Sequence, residues 1–151
     1  MTNIIKASLV QGLVILFSLN SALFAQADLE RGRELFKNKK YAEAKSIFET
    51  ICKGPDHHAE AHYYLGSIYL RFDRDPEKAV DHLERAVEAE NSNAKYHLML
   101  SSALGAKAMQ SNMFKQALLA PKIRKEIEKA VELDPNYAEA RGALIQFYIM
   151  A

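Results

Sequence analysis

The chain has 151 residues, which suits one domain. Hydrophobic residues make up 49% and charged residues 26%, so the chain should fold rather than stay disordered. Lys+Arg number 20 against 19 Asp+Glu, and no Lys/Arg-rich run occurs, so nothing draws the chain to nucleic acid.

The first 27 residues read as an export signal and not as part of the fold. Lys6 and the amino terminus form a small positive region. Ala7 to Leu19 is apolar, interrupted by Ser8, Gln11, Gly12 and Ser18, and Asn20-Ser21 break it. Ala25-Gln26-Ala27 is an A-x-A site, so cleavage is expected after Ala27, leaving Asp28 first. The alternative is an uncleaved anchor helix, but the apolar run falls short of the ~20 residues that a span needs. No stable membrane span is therefore expected after cleavage.

Mature residues begin with a helix in which Leu29, Gly32, Leu35 and Phe36 recur at helical spacing. Asn38-Lys39-Lys40 makes a turn. Tyr41, Ala44, Phe48, Ile51 and Cys52 mark a second helix, closed by Gly54-Pro55. Cys52 is the only cysteine, so no internal disulfide can form. Its neighbours Ile47, Phe48 and Ile51 point to a buried, inert thiol, with a mixed disulfide to a partner as the alternative.

Further on the sequence repeats itself. Ala59-Glu60-Ala61-His62 to Tyr69 lies over Ala94-Lys95-Tyr96-His97 to Leu104, 35 residues later, and Ala138-Glu139-Ala140-Arg141 restarts the pattern. A period near 34 residues means stacked helical hairpins. Asp75 should cap a helix over Pro76 to Ala89, with Pro76 at its first position. The loop Phe72-Asp73-Arg74-Asp75 before it is one residue longer than the period expects. Ile123 follows Leu104 by 19 positions, about ten too many. The pattern favours an elongated hairpin. Gly105–Gln110 extends one helix and Met113–Ala120 the next, with Met113, Phe114, Ala117 and Leu118 as its apolar face and Pro121 as a kink or restart. Tyr137 to Ala151 reads as one more helix, with Ala140, Ala143, Leu144, Phe147 and Tyr148 on its face.

Gly32, Tyr41, Ala44 and Phe48, then Leu65, Gly66, Tyr69, Ala79, Leu83 and Ala86, resemble the signature of the tetratricopeptide repeat (TPR) family. The resemblance implies an all-α, right-handed solenoid of helical hairpins. It would have about three repeats (28–57, 58–92 and 93–136) and an unpaired last helix over 137–151. It also implies a binding scaffold and not an enzyme. The chain is similar to exported bacterial TPR proteins, which places it in the periplasm, or at the inner membrane should the N-terminal helix stay uncleaved.

Residue chemistry agrees. Glu84/Glu88 and Glu126/Glu128 sit among Lys and Arg, as on a solvated helix face, and no nucleophile–base constellation or phosphate loop stands out. His58 and His62 are four apart, with His57, Asp56 and His82 nearby, which is metal-ligand spacing. His62 and His97 occupy equivalent repeat positions, however, so packing accounts for them, and neither metal nor cofactor is expected.

By position, the resemblance selects groove residues from the first helix of each hairpin: Arg33 and Lys37; Glu60, Tyr63, Ser67 and Arg71; Lys95, Leu98 and Ser102. Arg33, Lys37, Arg71 and Lys95 would form a positive patch for a carboxylate, an acidic peptide or a partner helix. The family's chaperone-tail clamp is not expected, because Leu29, Arg33 and Ser67 stand at its places. The alternatives are a solvated helix face, or self-association through 137–151.

Overall fold

The computed structural model describes residues 26–54 and 58–150, all helical or in turns between helices. Residues 1–25 of the expected signal, and Asp56 and His57, lie outside the described residues. No helix among the described residues is long and apolar enough to cross a membrane. The chain divides into two compact units, Met1–Ile47 and Phe48–Ala151.

In the first unit, helix α1 (26–37) leads through a two-residue turn into α2 (Tyr41–Cys52). Lys39 ends α1 in the left-handed region, at φ 61°. That geometry lets the N–H of Lys40 reach the Leu35 carbonyl at 2.9 Å, so the last carbonyls of α1 find donors. Phe36 meets Tyr41 edge-on across the turn, at 5.4 Å between centroids. Leu29, Gly32 and Ala44 are buried, as the pattern requires.

The second unit starts inside α2. It continues through α3 (Ala59–Ile68), a π-helical turn (Tyr69–Asp73), α4 (Pro76–Ala89), α5 (Ala94–Met109), α6 (Met113–Leu133) and α7 (Ala138–Met150). Each helix from α3 onward packs on the next, and α3 also touches α5, two positions along, which is the stacking of helical hairpins. Phe48 stacks on Tyr64, and Leu65, Ile68, Leu83 and Leu104 are fully buried with it. Small residues mark the close crossings: a Cβ placed on Gly66 would lie 2.4 Å from Leu83 Cγ. Ser101 takes the matching place one repeat on and turns its hydroxyl to the Leu98 carbonyl.

The extra residue before α4 is absorbed without a longer loop. Residues 69–73 widen into a π turn, Arg74 takes φ 55°, and the N–H groups of both Arg74 and Asp75 reach the Tyr69 carbonyl. Asp75 then accepts from the Lys78 N–H at 3.1 Å and caps α4, whose expected and observed limits coincide. The elongated hairpin also forms, with Asn112 capping α6.

Two expectations about that hairpin are corrected. Of the kink or restart expected at Pro121, the restart does not occur, for α6 runs unbroken from Met113 to Leu133. The apolar face of the extension is not buried either: Met113, Phe114 and Leu118 are 84%, 74% and 64% exposed. The facing end of α5 carries Gly105, Ala106 and Ala108, side chains too small to cover it. On α7 only Ala140 is fully buried, while Ala143, Leu144 and Phe147 are half-buried and Tyr148 is exposed.

Candidate functional site

The expected groove residues separate into distinct environments. Arg33 and Lys37 belong to the first unit, where Arg33 holds Glu30 at 2.8 Å and Lys37 is exposed. In the second unit, Ser67 is 2% exposed and donates its hydroxyl to the Tyr63 carbonyl, so it offers no surface to a ligand. Leu98 is half-buried and its carbonyl accepts from the Ser102 hydroxyl at 3.0 Å.

Glu60, Tyr63, Arg71 and Lys95 keep exposed surface. Tyr63 stacks on Tyr96 at 5.0 Å and meets Tyr64 edge-on at 5.4 Å. These rings form a wall between α3 and α5. Burial, with Glu90 and Glu60 beside it, pushes the Tyr96 phenol up, so it stays a neutral donor.

Tyr137, immediately before α7, lies within electrostatic reach of Tyr63. Partial burial raises its phenol, helped by Glu139 and Tyr63 and opposed by Arg71, so the Arg71 guanidinium lies within electrostatic reach of its hydroxyl. Lys95 lines a cleft of about 290 Å³ with the same Tyr137, together with Asn93 and Asp134. Neither Arg71 nor Lys95 is in an ion pair among the described residues. Two available cations thus lie near the Tyr137 phenol.

Sequence reading overlooked Tyr137. The signal was its place: it directly precedes Ala138, where Asn93 precedes Ala94 and caps α5. A phenol cannot fold back onto the backbone as an Asn side chain does, so a ring at that place faces something else.

A second cleft, about 410 Å³ and mostly apolar, lies among α5, α6 and α7, lined by Ser102, Met109, Ile123, Ile127, Phe147 and Met150 among others.

The two histidines at equivalent positions serve different partners. The His97 ring lies 2.6 Å from Glu126 and 2.9 Å from the Asn91 carbonyl oxygen, both through its nitrogens. One ring nitrogen thus faces a buried carboxyl group and the other a backbone carbonyl, so both find a hydrogen-bond partner in the interior. His62 instead lies against His82, Nδ1 to Nδ1, at 2.9 Å. Packing thus describes His97 only in part, since its ring also hydrogen-bonds the buried Glu126 side chain.

Hairpins of this kind, stacked with small residues at their crossings, define a TPR-type fold. Residues 29–94 match the family described as "Tetratricopeptide repeat". No curated protein matches the chain in sequence. Solved structures share the fold. The first TPR of Spaghetti (RPAP3), bound to the HSP90 peptide SRMEEVD, is 22% identical with a TM-score of 0.70, over 83% of this chain and 91% of that one. The second TPR domain of human RPAP3, in complex with the HSP70 peptide SGPTIEEVD, is 18% identical at TM-score 0.68, over 82% and 94%. A thermophilic TPR protein of Thermus thermophilus is 20% identical at TM-score 0.71, over 83% of this chain and 65% of that protein.

Proposed function

We propose that this chain is a non-catalytic interaction scaffold of the bacterial envelope, holding an acidic peptide or partner helix on the α3–α5 face of its second unit. One observation carries the reading: Arg71 and Lys95, without ion-pair partners among the described residues, lie near the Tyr137 phenol, itself within electrostatic reach of Tyr63. Exposed cations beside aromatic rings suit a carboxylate ligand, the charges supplying orientation and the rings desolvated contact area. The peptides named with the two RPAP3 structures, both ending in EEVD, support the same ligand class on this fold. The envelope location rests on residues 1–27, with their apolar run and A-x-A site, and inner-membrane anchoring is its alternative.

The test is fluorescence anisotropy with a panel of labelled acidic peptides, SRMEEVD among them. The wild-type chain is compared with one carrying Arg71→Glu and Lys95→Glu. Binding should weaken by at least about tenfold, or roughly 1.4 kcal/mol, with the helical circular dichroism unchanged. Equal binding by both chains, or no binding by any peptide, refutes the assignment.

A second reading, self-association, draws on the apolar surface of the elongated hairpin and α7. Met109, Met113, Phe114, Ile149 and Met150 are all exposed there. Light scattering coupled to size exclusion decides it: a single monomeric mass at micromolar concentration removes this reading.

A further inference from the structure

The contact between His62 and His82 extends to a third residue. Cys52 Sγ and one nitrogen from each imidazole all lie within 4.8 Å of one another. The three side chains come from three separate helices: the last turn of α2, the middle of α3 and the middle of α4. His62 is buried, and Cys52 and His82 are half-buried.

The repeat supplies its own comparison. Cys52 and His62 recur 35 residues on as Val87 and His97, and His82 corresponds to Glu126, each directly preceding a core residue (Leu83 or Ile127). Val87, His97 and Glu126 again lie together, lining one cleft. In the third repeat this position holds a hydrogen-bonded His–Glu pair beside a hydrocarbon side chain. In the second it holds a thiol and two imidazoles, with no carboxylate between the rings. An ordinary packing role explains an aliphatic or a hydrogen-bonded His–Glu pair there. It does not explain the replacement of both Val and Glu by residues that are good soft-metal ligands.

We infer that Cys52, His62 and His82 bind a soft divalent transition-metal ion of the zinc class. Zinc bond lengths of 2.0–2.1 Å to nitrogen and 2.3 Å to sulfur put tetrahedral ligand atoms about 3.3 Å (N to N) and 3.6 Å (N to S) apart. From the 2.9 Å contact, the two nitrogens need part by only about 0.4 Å. From the 4.8 Å limit, the sulfur needs close by at most about 1.2 Å, within reach of a rotation of the Cys52 side chain. Three protein ligands leave a fourth place for water or a ligand atom from outside.

The surroundings orient the set. The Tyr69 ring stacks on His82 at 5.4 Å, nearly parallel, and its hydroxyl donates to Glu49 at 3.1 Å. Glu49 and Asp81 add negative potential around His82, which favours a bound cation, while Arg85 opposes it. Burial raises the thiol to about 12 and holds the His82 imidazole below its ordinary range, so metal-free Cys52 is a protonated, unreactive thiol and His82 a neutral lone-pair donor. Metal must displace the thiol proton, and one proton leaves as one thiolate–metal bond forms.

The experiment uses the full chain, reduced and free of purification tags. Co²⁺ is added as the spectroscopic probe, and Zn²⁺ is then titrated by calorimetry. Expected are one ion per chain, a near-ultraviolet thiolate–cobalt band, and loss of that band as Zn²⁺ displaces Co²⁺. Cys52→Val, the side chain that the next repeat carries, should abolish the band and weaken Zn²⁺ binding by at least about a hundredfold. His82→Gln should weaken it as well, and His58→Gln should change neither. Helical circular dichroism establishes that each variant is folded. Should Cys52→Val unfold the chain, the His82→Gln and His58→Gln pair still decides the question. Absence of the band in the wild type, or binding that survives Cys52→Val or His82→Gln, overturns the site.

Discussion

Substituting Gly66 by alanine should destabilise the protein, although alanine is the better helix former. In a helix interior the change alone gains about 1 kcal/mol. At this position the new methyl would meet Leu83 Cγ at 2.4 Å and its two Cδ atoms at 3.0 and 3.1 Å. Leu83 is itself fully buried, and its Cγ sits too near its backbone to swing aside. Helices α3 and α4 must therefore part, or Leu83 must leave its rotamer. Overpacking of this kind costs about 1–3 kcal/mol, and a clash at a branch carbon belongs at the upper end. The net expectation is a loss of about 2 kcal/mol. Gly105 is the control, because a Cβ there meets nothing within 4 Å. Gly105→Ala should gain about 1 kcal/mol. Urea unfolding followed by helical circular dichroism measures both, and the two variants should differ from each other by about 3 kcal/mol. A Gly66→Ala chain as stable as wild type, or stabilised like Gly105→Ala, would refute the argument that glycine is required by the α3–α4 crossing.

The other expectations concern the paired histidines. Glu126→Ala leaves a buried His97 Nδ1 without its hydrogen-bond partner and should cost about 1–3 kcal/mol in the same unfolding assay, whereas Glu126→Gln, which keeps a polar partner, should cost less. A change below about 0.5 kcal/mol for the alanine variant would mean that the pair adds nothing. At His82, burial first and Arg85 second hold the imidazole below its ordinary range, against smaller opposing effects of Asp81 and Glu49. The unfolded chain then binds the proton more readily, near pH 6.5, so this group's contribution is present above that pH and is lost as pH falls toward the folded value. Metal-free wild type should lose more stability than His82→Gln between about pH 7.5 and about pH 5; equal losses contradict the assignment.

Most of the helix layout was legible because local chemistry marks each boundary. Asp75-Pro76 starts α4, and the 35-residue echo of Ala59–Tyr69 fixes the hairpin period. Burial along the elongated hairpin was not legible. Met113, Phe114 and Leu118 have helical spacing, but periodicity says which residues share a face, not whether any neighbour covers it. The histidines show a related limit. His58 and His62 share a helix face by spacing, yet the ligand distances join His62 to Cys52 and His82, on other helices. Sequence proximity could not show that, although alignment of Cys52, His62 and His82 with Val87, His97 and Glu126 carries the hint.

The π turn at Tyr69–Asp73 gives α3 two bearings. An unbroken α-helix would align residues 67 and 71, four apart, on one side. Here the widened turn intervenes, and Ser67 is enclosed while Arg71 stands in solvent. The added residue is taken up inside the helix, so Asp75 still stands where it caps α4.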